Sequence, residues 1–150
     1  MSQELAKNKK AYHDYEILDT LEVGIILTGP EVKSCRIKKV QLKGSYVSFE
    51  SGKPLIKSSH ISPYKNDSNK DKFDPERYRE ILMHKKEALK LEHKLNEQGI
   101  SIVPLKLYLK KGLIKASIGI CKGKQLHDKR RDLKKKEQNL EIKRALKKYK

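Results

Sequence analysis

The most regular alternation of apolar and polar side chains in the chain falls in residues 100–123. Every second residue is apolar from 103 to 109 and again from 114 to 120, which is the period of a β-strand with one buried face. Lys111-Gly112 separates the two runs and suits a two-residue turn. The pattern therefore predicts a β-hairpin.

Shorter runs with the same period precede this hairpin. Residues 15–18 and 23–28 are rich in β-forming residues and are separated by a polar break. One face of the second run carries Val23, Ile25 and Leu27. Residues 44–64 predict another hairpin around Ser51-Gly52, because glycine supplies the turn. About six short strands are expected in total.

Two segments have helical patterns. The fixed φ of Pro30 suits the first turn of a helix, so residues 30–39 predict a short helix after Gly29 ends the preceding strand. A longer helix is predicted from Asp74 as N-cap, through Pro75 in the first turn, to Gly99 at the end. The side chains expected to face inward are Val32, Cys35 and Arg36 in the short helix and Ile81, Leu82, Ala88, Leu89, Leu91 and Leu95 in the long one.

The remaining segments of the first 123 residues lack an apolar pattern. Residues 1–13 are basic and polar and are expected to stay loose until a partner binds, and residues 65–72 predict a surface loop. Strands with two to three inserted helices indicate an α+β fold that is mainly β. The expected architecture is a small closed antiparallel β-barrel of the oligonucleotide-binding type (OB-fold), because closure leaves no unpaired strand edge.

The formal net charge of the 150-residue chain is +17, and it is unevenly distributed. Residues 122–150 contain 13 Lys or Arg against four Asp or Glu, a net charge of +9. Beyond Gly123 the apolar stripe is one residue wide, at Leu126, Leu133 and Leu140, which is too little to offset the entropy of ordering. We therefore expect a barrel domain over residues 1–123 and a basic tail over residues 124–150, disordered when free and helical on an anionic surface.

An excess of positive charge on this scale indicates a polyanionic partner. A membrane surface is a rival partner, but residues 122–150 contain no Trp or Phe and their apolar face is thin, so nucleic acid is favoured. The first fifteen residues lack the apolar segment of a signal peptide, and no window approaches the ~20 apolar residues of a membrane span. A cytoplasmic location is expected.

Catalytic and metal chemistry find little support in the sequence. The five histidines show no ligand spacing beside Cys or carboxylate residues, and the GxxxxGK[ST] and GxSxG motifs are absent. The pairs His13-Asp14 and His127-Asp128 would be poorly placed for joint acid/base work on strands, where neighbours point to opposite faces. The two cysteines are expected to be buried thiols. We expect no cofactor, no metal and no enzymatic activity.

Several stretches, in chain order, resemble the small protein B family, the SsrA-binding proteins of bacterial trans-translation. They are NKKAYHDYEI (8–17), EVGIILTGPEVKSCR (22–36), ISPY (61–64), LYLKKGLIKASIGICKGK (107–124) and HDKRRDLKKK (127–136). The combination of G-x-EVKS-x-R with GKxxxDKR at this spacing is highly specific. Pro30 stands where relatives often carry Trp or Thr, so the start of the short helix is expected to differ in detail.

The resemblance implies a division of labour within the chain. The barrel would bind the tRNA-like end of transfer-messenger RNA around its D-loop. The complex, delivered by elongation factor Tu carrying GTP, would enter ribosomes stalled on messages without a usable stop codon. The tail would lie in the decoding centre of the small subunit and in the empty message channel, and the protein would act as a monomer.

Motif alignment also implies which residues carry these roles. Glu22, Leu82 and Lys115 match family positions tied to RNA binding. Four further RNA-binding candidates lie in the same motif blocks, namely His13, Tyr15, Lys33 and Arg36. Gly123 matches the hinge into the tail. The tail residues expected to meet the ribosome are Lys124, His127, Asp128, Lys129, Arg130, Arg131, Lys134, Lys135 and Lys136.

Two alternative functions remain open at this point. A ribosomal or initiation-type protein with the same barrel would bind ribosomal RNA without preferring a tRNA-like fold. A ribonuclease or RNA-modifying enzyme would need a convergent acid/base group, which the sequence does not reveal.

Overall fold

The computed structural model describes residues 2–65 and 72–123. Within them the elements run β1 (Ser2–Lys7), α1 (Lys9–Asp14), β2 (Tyr15–Ile25), α2 (Gly29–Arg36), β3 (Val40–Gln41), β4 (Tyr46–Glu50), β5 (Lys53–Lys57), β6 (His60–Ile61), β7 (Arg79–Leu82), α3 (Lys85–Leu95), β8 (Ile100–Lys110) and β9 (Leu113–Gly123). The fold is mainly β with helices inserted between strands, as the sequence predicts. No helix in the described ranges is long and apolar enough to cross a membrane.

Seven strands form one antiparallel sheet in the order β1-β8-β9-β2-β7-β5-β4, and β3 and β6 form a separate pair. The sheet has two ends, β1 and β4, so the closed barrel predicted from the sequence is not formed. Strand β4 approaches β8 without pairing with it. A cleft of about 370 Å³, lined by residues of α1, β4 and β8 and by Leu95 of α3, lies at this position.

The two predicted hairpins are confirmed. The single buried face predicted for residues 103–109 is wrong, because a register shift between Pro104 and Lys106 places Val103 and Leu105 in one apolar cluster and Leu107 and Leu109 in the other. Strands β8 and β9 pair along their length, and Lys111 and Gly112 turn the chain with φ values of 50° and 77°. Both residues are left-handed, which is the conformation of a type I′ turn between twisted strands. Strands β4 and β5 form the other hairpin around Ser51 and Gly52, again with positive φ.

Strand β2 is longer than predicted. The polar break expected after residue 18 is instead a β-bulge, where the register with β9 shifts between Ile17 and Asp19. A bulge adds one residue to a strand without ending it, so the strand continues from Tyr15 to Ile25. A short polar break within a run of β-forming residues can therefore mark a bulge as well as a loop.

The short helix α2 begins one residue earlier than predicted, at Gly29 with Thr28 as N-cap, and it ends at Arg36 rather than at residue 39. The Thr28 hydroxyl accepts a hydrogen bond from the Glu31 backbone, and the Glu31 carboxylate accepts one from the Thr28 backbone, which forms a capping box. Cys35 is buried as predicted, but Arg36 is exposed, so its predicted inward orientation is wrong. Besides Cys35, the buried residues of α2 are Glu31 and Ser34.

The predicted helix over residues 74–99 is wrong in its first half, and the predicted inward orientation of Leu82 and Leu89 is also wrong, because both side chains are exposed. Strand β7 occupies residues 79–82 and pairs with β2 and β5, and helix α3 begins only at Lys85. Asp74 accepts a hydrogen bond from the Glu76 backbone in a turn rather than capping a helix. Gly99 has a φ of 79° but follows the end of the helix by four residues. Pairing with distant strands overrides the local helical pattern here.

The first residues are also more ordered than predicted. Residues Ser2–Lys7 add strand β1 to the edge of β8, and α1 follows directly. Asn8 caps α1 and is buried, and its amide donates to the backbone oxygens of Leu42 and Pro104. These bonds attach the segment to the backbone that follows β3 and to strand β8. The predicted surface loop over residues 65–72 lies largely outside the described residues, as does the predicted tail over residues 124–150.

The sheet buries apolar side chains on both faces. The main core lies on the inner face and includes Cys35, Ile56, Ile102, Leu107 and Ile118. A smaller cluster lies on the outer face beneath α1 and consists of Ala11, Val103, Leu105 and Cys121, with Tyr15 and Ile17 against it. Both cysteines are buried and free, and burial raises the pKa of Cys35 to about 12 and that of Cys121 to about 11. Both are therefore buried thiols, as predicted, and the raised pKa values disfavour the reactive thiolate form.

Candidate nucleic-acid interface

The outer face of the sheet is open to solvent beyond the end of α1. The strand register places one row of residues across five strands, namely Glu4, Tyr108, Lys115, Gly24 and Leu82. The neighbouring row brings Lys106, Ser117 and Glu22 side by side. We call these two rows the outer strip. The strip contains all three residues that the family motifs single out most strongly.

Glu22 is the most constrained side chain of the outer strip. Its carboxylate accepts a hydrogen bond of 2.5 Å from the Tyr108 hydroxyl, and Lys110 Nζ lies 3.3 Å from both carboxylate oxygens. The hydrogen bond from Tyr108, with the nearby ammonium groups of Lys110 and Lys115, lowers the pKa of Glu22. The carboxylate is therefore ionised and oriented, yet still exposed enough to accept a further hydrogen bond.

Leu82 and Lys115 lie on either side of Gly24. Leu82 pairs with Gly24 across β7 and β2, and a Cβ on Gly24 would lie 3.1 Å from the Leu82 Cβ. The absence of a side chain at Gly24 lets Leu82 lean onto strand β2. Leu82 is 55% exposed, which is unusual for a leucine at the centre of a sheet. An apolar contact is therefore presented next to the ammonium group of Lys115.

Lysines dominate the charge of the outer strip and its margin. A depression of about 530 Å³ beside Glu22 is lined by Ser2, Glu4, Glu22, Lys106, Tyr108, Lys110, Lys111 and Ser117. Three of these are lysines, and Lys115 lies next to Tyr108 in the register. Two carboxylates are interspersed, one of which Lys110 and Tyr108 hold in place. This arrangement can bind phosphate groups while offering one fixed acceptor.

His13 and Tyr15 lie away from the outer strip. Tyr15 begins β2 opposite Gly123, seven residues from Glu22, which is about 20 Å along a strand. His13 lies in the last turn of α1, with Nδ1 at 3.0 Å from the Asp14 carboxylate. The prediction that His13 and Asp14 point to opposite faces of a strand is therefore wrong, because both residues lie at the end of helix α1.

Lys33 and Arg36 lie on the exposed side of α2 and are not part of the outer strip. Lys33 Nζ lies 5.5 Å from the centre of the Tyr64 ring, which is cation–π distance. Arg36 is exposed in the last turn. Gly123 ends β9 opposite Tyr15, where the predicted hinge would begin. The tail candidates from Lys124 to Lys136 lie outside the described residues.

Sequence reasoning missed two parts of this arrangement. Tyr108 and Lys110 hold Glu22 through a register of strands 86 and 88 residues apart in sequence. Their position on the polar side of the alternating run 103–110 is the only available signal, and it does not reveal the partner. The other missed part is a buried ion cluster around Glu31, the first residue of the EVKS motif.

The buried cluster joins α2 to β7. Glu31 Oε2 lies 2.7 Å from Arg79 Nε, and Oε1 lies 2.6 Å from Arg77 Nη2. Glu31 is 1% exposed and Arg79 is fully buried, while Arg77 is partly exposed. Arg79 also donates to the backbone oxygens of Ser59 and Pro75. The cluster therefore fixes α2 and the loop before β7 against the sheet that carries the outer strip.

Burial acts to raise the pKa of Glu31, but hydrogen bonds from Arg77 and the Thr28 backbone and the charge of Arg79 outweigh it, so the pKa is lowered. Glu31 is thus ionised and fully engaged, and it holds the fold rather than a ligand. In the ranges 2–65 and 72–123, no three His, Cys, Asp or Glu side chains are grouped closely enough to hold a metal ion.

An open sheet face that carries a cluster of lysines and a tyrosine is typical of nucleic-acid-binding domains. Comparison with known proteins identifies the family within this class. The sequence profile of the SmpB protein family matches residues 5–148. The chain is 47% identical over 148 residues to the SsrA-binding protein of Geotalea uraniireducens, covering 98% of this chain and 97% of the relative.

Other relatives of similar identity carry the same name. The SsrA-binding protein of Syntrophotalea carbinolica is 49% identical over 142 residues, covering 95% and 94% of the two chains. That of Streptococcus thermophilus is 46% identical over 143 residues, covering 95% and 92%. A solved structure described as "tmRNA-SmpB: a journey to the center of the bacterial ribosome" contains a chain with a TM-score of 0.66 and 41% identity, covering 80% of this chain and 84% of that one.

The chain belongs to the SmpB protein family, whose members are RNA-binding proteins and not enzymes. The resemblance inferred from the sequence motifs is thereby confirmed.

Proposed function

We propose that this chain binds the tRNA-like end of transfer-messenger RNA through its outer strip and brings that RNA to stalled ribosomes for trans-translation. The observation that carries the proposal is the convergence of Glu22, Leu82 and Lys115, far apart in sequence, around Gly24 on one open sheet face. Family membership and relatives that bear the name SsrA-binding protein support the choice of RNA.

The chemistry of the outer strip suits a folded RNA loop. Lys115 and the neighbouring lysines offer ammonium donors to phosphate oxygens, which supply most of the affinity. Leu82 offers an apolar contact to a ribose or a base. The ionised Glu22 carboxylate accepts hydrogen bonds from base amino groups, and so it favours particular bases where lysines alone would not. Tyr108 and Lys110 hold that carboxylate in one orientation.

The remaining candidates would extend the interface. Lys33 and Arg36 on α2 and His13 and Tyr15 near the α1–β2 junction are separate from the outer strip, so we assign them to peripheral phosphate or stacking contacts. The sheet, though open between β1 and β4, would serve as an OB-type platform, in which loops and an exposed face bind nucleic acid.

The tail has a separate role in this proposal. Gly123 would act as the hinge, and residues 124–150 would enter the decoding centre and the empty message channel, where phosphate groups attract their net positive charge. The segment from His127 to Lys136 would make the first contacts. The protein would work as a cytoplasmic monomer, and elongation factor Tu with GTP would deliver its complex with the RNA.

Binding to an isolated tRNA-like fragment of transfer-messenger RNA tests the role of the outer strip. Lys115→Ala and Glu22→Gln should weaken binding, whereas Lys90→Ala on the exposed side of α3 should not. For about six phosphate contacts, log K should fall against log salt with a slope of roughly −4 to −5. Equal affinity of wild type and the three variants, or an affinity that does not change with salt, would refute the RNA-binding role of the outer strip.

Deletion of residues 124–150 tests the role of the tail. The truncated protein should keep its affinity for transfer-messenger RNA within a few-fold and lose the tagging of stalled peptides in a reconstituted translation system. Tagging that persists without the tail would exclude the channel role. Equal binding of ribosomal RNA and transfer-messenger RNA by the full chain would instead favour a ribosomal or initiation-type protein.

A further inference from the structure

Two exposed tyrosines flank a lysine at the β4 end of the sheet, on the same face as the outer strip. Tyr46 of β4 pairs directly with Lys57 of β5. Tyr78 immediately precedes β7, whose Arg79 pairs with Ile56, so Tyr78 lies on the other side of Lys57. We call Tyr46 and Tyr78 the tyrosine pair.

Lys57 lies between the two tyrosines in the strand register and is held by Glu50 and the Tyr78 ring. Its Nζ lies 4.8 Å from the centre of the Tyr78 ring and 2.6 Å from Glu50 Oε1, and its side chain is only 13% exposed. The hydrogen bond from Lys57 to Glu50 raises the pKa of Lys57. The lysine is therefore charged but already neutralised by Glu50, so it positions the tyrosines rather than offering a free cation to a phosphate.

The tyrosine pair itself is left without partners on its outer side. Tyr46 is 45% exposed and Tyr78 is 53% exposed. Neither phenol makes a hydrogen bond with any residue in the ranges 2–65 and 72–123. Tyr78 and Leu82 lie on the same side of the β7 segment, four residues apart, which makes the tyrosine pair continuous with the outer strip.

We infer that the tyrosine pair stacks on an unpaired base of the same RNA that the outer strip binds. This inference rests on the proposed function and adds a second contact point to it. Aromatic side chains on a sheet face are a common platform for bases, and stacking tolerates any base because each has a π-face. The net charge of +17 brings RNA to this surface without a free cation within the pair itself.

A protein partner fits this surface less well than RNA. Charged side chains lie beside the tyrosine pair: Glu80 is on the same face two residues after Tyr78, and Glu50 reaches Lys57 between the two tyrosines. A stable protein interface spans about 800 Å² on each partner, and its centre is depleted of charge. Two exposed rings beside the Lys57–Glu50 ion pair offer a site for one or two flat bases instead.

The experiment measures binding of the full-length protein to a tRNA-like fragment that carries 2-aminopurine at single unpaired positions. Tyr46→Ala and Tyr78→Ala should each weaken binding roughly 5- to 150-fold, the range that one stacked base contributes. Tyr46→Phe and Tyr78→Phe should bind like wild type, because they keep the rings. At one labelled position, wild type should quench the fluorescence and the alanine variants should not.

Salt dependence separates stacking from charge. The slope of log K against log salt should be the same in the tyrosine-to-alanine variants as in wild type. Lys115→Ala should make the slope shallower by about the contribution of one phosphate contact. Leu89→Ala, which removes an exposed leucine from α3, controls for loss of surface apolar area. Urea midpoints near that of wild type would show that the alanine variants fold.

The outcomes of the two proposals are distinct. Wild-type affinity and quenching in both alanine variants would overturn the stacking site and leave the proposed function intact. Unchanged RNA binding with weakened binding to ribosomes would also overturn it, in favour of a ribosomal contact. If wild type itself does not prefer the tRNA-like fragment over bulk tRNA, the proposed function fails regardless of the tyrosine variants.

Discussion

Replacing Glu31 with Gln is the sharpest test of how the fold supports the outer strip. The Glu31 carboxylate accepts hydrogen bonds from Arg77, Arg79 and the Thr28 backbone, and it is 1% exposed. E31Q keeps the shape of the side chain but removes its charge and turns one acceptor oxygen into an NH2 donor. That donor would face a guanidinium group, so at least one charged donor loses its partner.

The size of the effect follows from burial. Arg79 is fully buried, and its remaining bonds are to the neutral oxygens of Ser59 and Pro75. Removing one member of a buried ion pair typically costs about 3–5 kcal/mol, because the other charge is left without compensation. With an m-value of about 2 kcal/mol/M, the urea midpoint should fall by roughly 1.5–2.5 M.

Urea unfolding followed by circular dichroism measures this effect. The matched control is E97Q, since Glu97 makes an exposed pair with Lys94 and such pairs contribute about 0–1 kcal/mol. Arg77→Met should fall between the two variants, because Arg77 is partly exposed. If E31Q and E97Q unfold at the same urea concentration, the Glu31–Arg79 cluster is not a structural tie, and the account of how α2 and β7 are fixed is wrong.

The remaining predictions concern pH, packing and the RNA-binding face. Because folding lowers the pKa of Glu31, its stabilisation is fully present above its unfolded pKa of about 4.3 and is lost as pH falls through the lower folded pKa. Acid unfolding should accordingly be steeper in wild type than in E31Q. Gly119→Ala should destabilise the protein by about 1–3 kcal/mol in urea unfolding, because its Cβ would lie 2.7 Å from the buried Leu105 Cδ1; no change would mean that this cluster is loosely packed. Tyr108→Phe should raise the pKa of Glu22 towards its ordinary value in an NMR titration and weaken RNA binding modestly; an unchanged pKa would contradict the holding role of Tyr108.

The sequence predicts those parts of the fold whose signals are local. The alternation in residues 100–123 and the turn at Lys111-Gly112 depend only on neighbouring residues, and the structure confirms the hairpin. Gly52 likewise marks a turn through its own φ preference. These features need no knowledge of distant partners.

The errors arise where distant partners decide the structure. Residues 79–82 lie next to good helix formers, but hydrogen bonds from β2 and β5 make them a strand. Residues 2–7 look loose because their polar side chains face outward, yet β8 offers a backbone edge for them to pair with. The missing closure between β4 and β8 also depends on packing across the cleft, which no local pattern encodes.

The same distinction applies to the candidate site. The motifs identify Glu22, Leu82 and Lys115, but only the strand register shows that Gly24 brings two of them together. Tyr108 and Lys110 are invisible as partners of Glu22 because 86 and 88 residues separate them from it. Family motifs thus select residues, and the sheet supplies the reason they act together.

Competition binding tests the central claim most directly. The full-length protein is bound to labelled transfer-messenger RNA and challenged with either unlabelled transfer-messenger RNA or bulk tRNA. The account predicts that transfer-messenger RNA displaces the label at far lower concentration than bulk tRNA, and that Lys115→Ala and Glu22→Gln reduce this difference. Equal displacement by the two competitors would contradict it.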